Sequence, residues 1–274
     1  MNDRRGDIPS KPHTSYSTSY VPEPHVTTWG DPAAPPVLLV HGSNTPDPER
    51  TWRYQRELAD EYRLLVLHRR GYGRSPDVEK PDFEIDVHDI VAILERAGGA
   101  HLVGFSYGGV LTLLATARRP NLVRSLTLIE PPAYAVARGN PTVADTVARM
   151  LPLFARDAHG ELPTPETFIR GFRAVLGIEP HDPGPLSPAD RRGIRGSLLE
   201  PPPSAADIPL DTLAVTTMPK LIATGAWNPA LDAVAAVLAA RLSAEHVMIP
   251  GAGHSVQYMA EPFNAWLREM LGSR

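Results

Sequence analysis

The sequence predicts an α/β sandwich with a largely parallel sheet, and three observations lead there. Short all-apolar runs recur along the chain, of the kind that a parallel sheet buries on both faces. Segments with helical spacing alternate with them in strict turn, which implies right-handed crossovers. One interval, from Pro131 to Pro219, breaks the rhythm and holds helical patterns only.

The elements follow in order. Pro36-Val-Leu-Leu-Val40 is the first buried run, and helical spacing over Glu49–Tyr62 comes next through Trp52, Leu58 and Tyr62. Arg63-Leu-Leu-Val-Leu67 is a second buried run, closed by the turn-forming Gly71-Tyr-Gly73. Phe83–Ala97 reads as a helix, His101–Phe105 as a strand, Tyr107–Arg118 as a helix and Leu122–Ile129 as a strand. Within the irregular interval, Val143–Phe154, Pro165–Leu176 and Pro188–Leu199 have helical patterns. Lys220–Thr224 and His246–Pro250 then read as strands, Leu231–Leu242 and Ala260–Leu271 as helices.

The 274 residues suffice for one large domain with a sizeable core. Residues 1–24 are polar and without apolar period, and are expected to form a tail. Residues 25–132 and 216–274 are expected to form the core, with 133–215 inserted as a helical lid. Proline supports this division, because 14 of the 30 prolines fall between Pro131 and Pro209. Each fixes a φ angle and removes a donor, so the lid's connections should be stiff.

With no cysteine, disulfide scaffolds, thiolate zinc sites, iron–sulfur clusters and cysteine nucleophiles are excluded. The formal charge of −4 argues against a nucleic-acid partner, which would need a concentrated basic field. No apolar run approaches a membrane span, and Met1–Ser10 has no apolar stretch of the signal-peptide kind. A cytoplasmic location, no metal and no cofactor are therefore expected.

Gly104-Phe-Ser106-Tyr-Gly108 fits G-x-S-x-G, a weak signal alone but a specific one in its context. It follows a buried-strand run and opens a helix, the strand–turn–helix setting in which a strained turn lifts a serine hydroxyl clear of a sheet. Four further landmarks accompany it: His41-Gly-Ser43, Arg70-Gly-Tyr-Gly-Arg-Ser75, Ile129-Glu130-Pro131-Pro132 and Gly251-Ala-Gly-His254. On these five the chain resembles the α/β-hydrolase-fold serine hydrolases, from about Val26 to its end. The resemblance implies an eight- or seven-stranded sheet flanked by helices, with a helical cap inserted after the sixth strand.

A serine hydroxyl needs a base to take its proton, and His254 stands where the order serine, acid, histidine requires. His41 belongs to the His-Gly turn and is expected to be structural. The acid departs from the family's commonest pattern, which places an aspartate beyond the seventh strand. That stretch here is Gly225-Ala-Trp-Asn228-Pro, and Asn228 carries no charge. Glu130, directly after a strand, is the expected substitute, as the resemblance to members with a glutamate there implies; Asp232 is the alternative.

The resemblance further places an oxyanion hole at the backbone N–H groups of Ser43 and Tyr107. Trp52, Phe105, Tyr134 and Trp227 are candidates for contact with substrate. The expected activity is hydrolysis of a carboxylic ester or lactone through an acyl-enzyme. A C–C hydrolase, thioesterase or cofactor-free perhydrolase on the same residues remains open, as does a non-catalytic small-molecule-binding protein. Dehalogenases and epoxide hydrolases would carry an aspartate at the nucleophile position. The expected partner is a small-molecule ester or lactone, and the chain is expected to be a monomer or homodimer.

Overall fold

The computed structural model describes residues 22–272, so most of the expected tail lies outside the described residues. Seven strands form one sheet: β1 (Val26–Trp29), β2 (Pro36–Val40), β3 (Arg63–Leu67), β4 (Ala100–Phe105), β5 (Val123–Ile129), β6 (Lys220–Thr224) and β7 (Glu245–Met248). They lie in the order β1-β3-β2-β4-β5-β6-β7. β1 runs antiparallel to β3, and every other neighbouring pair is parallel. This is the α/β-hydrolase fold. β5, after which the helical insert leaves, is the fifth described strand and takes the place the resemblance numbers sixth.

The nine α-helices among the described residues are α1 (Pro48–Thr51), α2 (Phe83–Arg96), α3 (Tyr107–Arg118), α4 (Pro141–Met150), α5 (Pro165–Leu176), α6 (Pro188–Leu199), α7 (Leu210–Ala214), α8 (Pro229–Leu242) and α9 (Phe263–Gly272). Alternation along the strands builds two apolar layers. Leu38 and Val40 pack with residues of α2, α3 and α8, whereas Val37 and Leu39 pack with Trp52 and with Phe263 and Leu267 of α9. Side chains two apart share a face, so each strand serves both layers. No helix among the described residues is long and apolar enough to cross a membrane.

The segment expected as one helix over Glu49–Tyr62 is broken. α1 ends at Thr51 and a 3₁₀ turn spans Arg56–Asp60. Trp52 turns fully into the core, and buried Gln55 donates to the Gln257 carbonyl and to Asn264 Oδ1, both at 2.8 Å. These tertiary contacts replace the last turns of a helix. The expected helix over Val143–Phe154 likewise ends at Met150 and tightens to a 3₁₀ turn containing Pro152, which lacks the N–H a continuing helix needs.

Prolines occupy the starts of α1, α4, α5, α6 and α8. There the N–H would be unpaired in any case and the fixed φ suits the first turn. Asp47, Asn140, Thr164, Ser187 and Asn228 cap these five helices with side-chain oxygens. In α6 the cap is reciprocal: Ser187 accepts from the Asp190 backbone while the Asp190 carboxylate accepts from the Ser187 backbone.

Candidate active site

Ser106 stands between β4 and α3 with φ 52° and ψ −124°, a conformation that a residue with a Cβ rarely adopts. Its N–H donates to the Ile129 carbonyl at 2.8 Å, tying the turn to the end of β5. A Cβ on Gly108 would strike the carbonyls of Val40 and His41, and one on Gly42 would meet the Ser106 Cβ at 2.7 Å. The two glycines thus let the helix sit against β2 and the His41-Gly-Ser43 loop lie across the serine.

His254 follows β7 in the loop Gly251-Ala-Gly-His, and its Nε2 lies 3.0 Å from Ser106 Oγ. Glu130, immediately past β5, is fully buried at φ 49° and donates its N–H to the Ala223 carbonyl. Its Oε1 accepts the Gly225 N–H at 2.6 Å, and its Oε2 accepts the Trp227 indole N–H at 3.1 Å. That second oxygen is 3.5 Å from His254 Nδ1, a buried nitrogen without a hydrogen-bond partner among the described residues. A Cβ on Gly225 would run into the backbone of Gly253, so the loop that holds Glu130 and the loop that carries His254 meet through glycine.

The structure therefore brings Ser106, His254 and Glu130 into one line. Asp232 lies elsewhere, in the first turn of α8, where it bonds Thr224 and faces His246; burial and the nearby Glu130 charge raise its carboxyl above the ordinary range. Asn228, at the position that in the common pattern carries the charge, caps α8 through its Oδ1 and donates to the Leu176 carbonyl of α5 at 3.3 Å. His41 is completely buried. Its Nδ1 is 2.7 Å from the Gly42 carbonyl and its Nε2 accepts the Arg69 N–H at 3.1 Å, so both ring nitrogens are engaged.

A narrow cavity is lined by Ser106, His254, Ser43 and Tyr107. Tyr134, Met150, Phe154, Phe168, Phe172 and Leu176 add an apolar wall from the insert. Of the four aromatic residues expected at the substrate, Tyr134 lines this cavity. The other three are not among its lining residues. Trp52 is fully buried between the sheet and α9, where its large apolar surface is better spent. Phe105 follows the period-2 alternation of β4 into the same layer, its ring 5.0 Å from that of His254. Trp227 is committed to Glu130, with its ring 5.8 Å from that of His254.

Sequence reasoning missed Glu200, which follows α6 and lines the cavity. Its Oε1 accepts from Arg69 Nη2 at 2.5 Å and from the Tyr72 hydroxyl at 2.7 Å, and its Oε2 accepts from Ser43 Oγ at 2.5 Å. Arg69 also binds Asp86 through two hydrogen bonds, and its guanidinium lies over the rings of Tyr72 and Tyr107. Burial pushes the Asp86 carboxyl up despite that partner, and pushes the phenols of Tyr72 and Tyr107 up as well. An acidic residue before three prolines in a polar insert gives no sequence signal of burial.

The sequence matches the alpha/beta hydrolase family over residues 37–266. The chain belongs to that family. It is 31% identical over 219 residues to 2-(acetamidomethylene)succinate hydrolase of Mesorhizobium japonicum, covering 73% of this chain and 74% of that protein. It is 33% identical over 114 residues to epoxide hydrolase 4 of Homo sapiens, covering 39% of this chain and only 31% of that protein. An alpha/beta hydrolase from Sphaerobacter thermophilus superposes with a TM-score of 0.66 at 24% identity, covering 90% of this chain and 95% of that one.

Proposed function

We propose that the protein hydrolyses a carboxylic ester or lactone through an acyl-enzyme, with Ser106 as nucleophile, His254 as base and Glu130 as orienting acid. The observation that carries the reading is the 3.0 Å approach of His254 Nε2 to a serine hydroxyl lifted by a strained turn. The fully buried Glu130 lies behind the imidazole at Nδ1.

In this reading Ser106 Oγ attacks the carbonyl carbon while its proton passes to His254 Nε2. The imidazolium is stabilised by the Glu130 carboxylate, and it then gives the proton to the departing alcohol oxygen. Water, deprotonated by the same nitrogen, releases the acid and restores the serine. The backbone N–H groups of Ser43 and Tyr107 stabilise the tetrahedral oxyanion, a contribution of about 3 kcal/mol per donor in comparable sites. Gly42 supports that assignment by lying against Ser106. The all-helical segment 133–215 serves as a cap, because its residues supply the apolar wall.

Epoxide hydrolase 4 is similar over part of the chain, but a serine at the elbow favours acyl transfer over attack by a carboxylate. A fluorophosphonate probe followed by mass analysis should label Ser106. Glu130→Gln should lower kcat on a p-nitrophenyl ester by about 10³–10⁴, the scale of the equivalent change in the serine protease triad, while Asp232→Asn stays near the parent. An unlabelled Ser106, or a Glu130→Gln enzyme with near-full turnover, would overturn the assignment.

A further inference from the structure

The cavity lining falls into two unlike groups. Met150, Phe154, Phe168, Phe172, Leu176 and Leu231 make up one of them. Phe168 packs edge-to-face on Phe154 at 5.5 Å and stacks on Phe172 at 5.8 Å, so this group includes a pre-formed aromatic wall. The other comprises Ser43, bonded to the carboxylate of Glu200, and Ser106, in contact with His254.

Glu200 is nearly completely buried, and its carboxylate accepts hydrogen bonds from Arg69, Tyr72 and Ser43. Arg69 is the one cation paired with it among the described residues, and that guanidinium is shared between Glu200 and Asp86. One positive charge between two carboxylates leaves the cluster with an excess negative charge. Arg69 itself does not reach the lining, where His254 and Glu200 are the titratable groups besides the two tyrosines among the described residues. A carboxylate brought in by a substrate would meet apolar rings on one side and a buried like charge on the other. Uncompensated burial of a charge and like-charge juxtaposition both oppose it.

We propose that the site accepts esters or lactones whose chain beyond the reacting carbonyl is uncharged and apolar, and that Glu200 rejects their carboxylate-bearing counterparts. The proposal rests on the ester-hydrolase reading above and names its substrate class. Glu200 arrives on the helical insert, so the insert supplies both the apolar wall and the charge that filters what reaches it.

Three substrates of equal acyl length test this on the parent enzyme: p-nitrophenyl hexanoate, mono-p-nitrophenyl adipate and the methyl ester of the latter. The expected kcat/KM for the hexanoate exceeds that for the adipate by at least about 100-fold, the scale of a like-charge contact in a dry site. The methyl adipate ester, slightly longer but uncharged, should stay within about tenfold of the hexanoate. In Glu200→Gln the hexanoate-to-adipate ratio should shrink at least about tenfold, whatever happens to the absolute rates. Equal rates on hexanoate and adipate would overturn the proposal. So would equal rejection of adipate and its methyl ester, which would make size the filter, or an unchanged ratio in Glu200→Gln. Turnover of none of the three, with Ser106 unlabelled, would instead remove the ester-hydrolase reading and this inference with it.

Discussion

At the residue scale, the departure from the common acid position has a physical consequence. The loop after β6 carries no carboxylate at Asn228, yet it supplies two N–H donors, from Gly225 and Trp227, to the carboxylate of Glu130. A loop that elsewhere holds the charge here holds the residue that replaces it. Glutamate is one methylene longer than aspartate, and a longer side chain needs more fixing points to hold one geometry. Trp227 is on this account a positioning residue, acting through Glu130 on His254. Trp227→Phe keeps the ring beside the imidazole and removes the donor. It should lower kcat about tenfold with KM nearly constant, and shift the acidic limb of the pH–kcat profile; an unaltered profile and rate would remove the role. Ser106 and His254 were legible in the sequence because glycines frame both turns. Glu200 was not, since its partners Arg69 and Ser43 are 131 and 157 positions away and only the fold brings them within reach.

At the element scale, Asn228 shows how a residue unfit for one task performs another. Its Oδ1 accepts from the N–H groups of Ala230 and Leu231 at the start of α8, while its Nδ2 donates to Leu176 at the end of α5. It therefore ties the insert to the sheet layer as well as capping a helix. Asn228→Ala should destabilise the protein by about 1–2 kcal/mol, the cost of a lost cap plus an orphaned carbonyl, measured by urea unfolding. Asn228→Asp should retain the cap and lose only the bond to Leu176; if both variants unfold at the parent's midpoint, the cap contributes nothing. Strand and helix periods were readable where a local apolar run or stripe decided the structure, as in α3, α5, α6 and β6, whose bounds coincide with the sequence reading. They failed over residues 49–62, where buried Trp52 and Gln55 obey contacts with α9 and the loop after His254 rather than a local period.

At the scale of the whole molecule, the core carries histidines that burial keeps neutral, and this gives the fold a pH dependence of definite sign. Burial, with help from the charges of His25 and Arg74 and against those of Glu49 and Asp47, lowers the pKa of His68 to about 4. Burial and Arg124 lower that of His101 to about 4, while Ser125 Oγ lies 2.8 Å from its Nδ1. His41 is depressed as well, by burial first and Arg69 second. In the unfolded chain these groups titrate near 6.5, so between about pH 6.5 and 4 the unfolded state binds the extra protons. Stability must then rise with pH across that window and be lost as pH falls through it. The carboxyls of Asp86 and Asp232, raised by burial, work in the opposite sense and offset part of the loss. At pH 5 each of His68 and His101 should cost about 2 kcal/mol relative to pH 7.5. The urea midpoint should accordingly fall between pH 7.5 and pH 5 with an unchanged slope, and an equal or higher midpoint at pH 5 would contradict the burial of these rings as neutral groups.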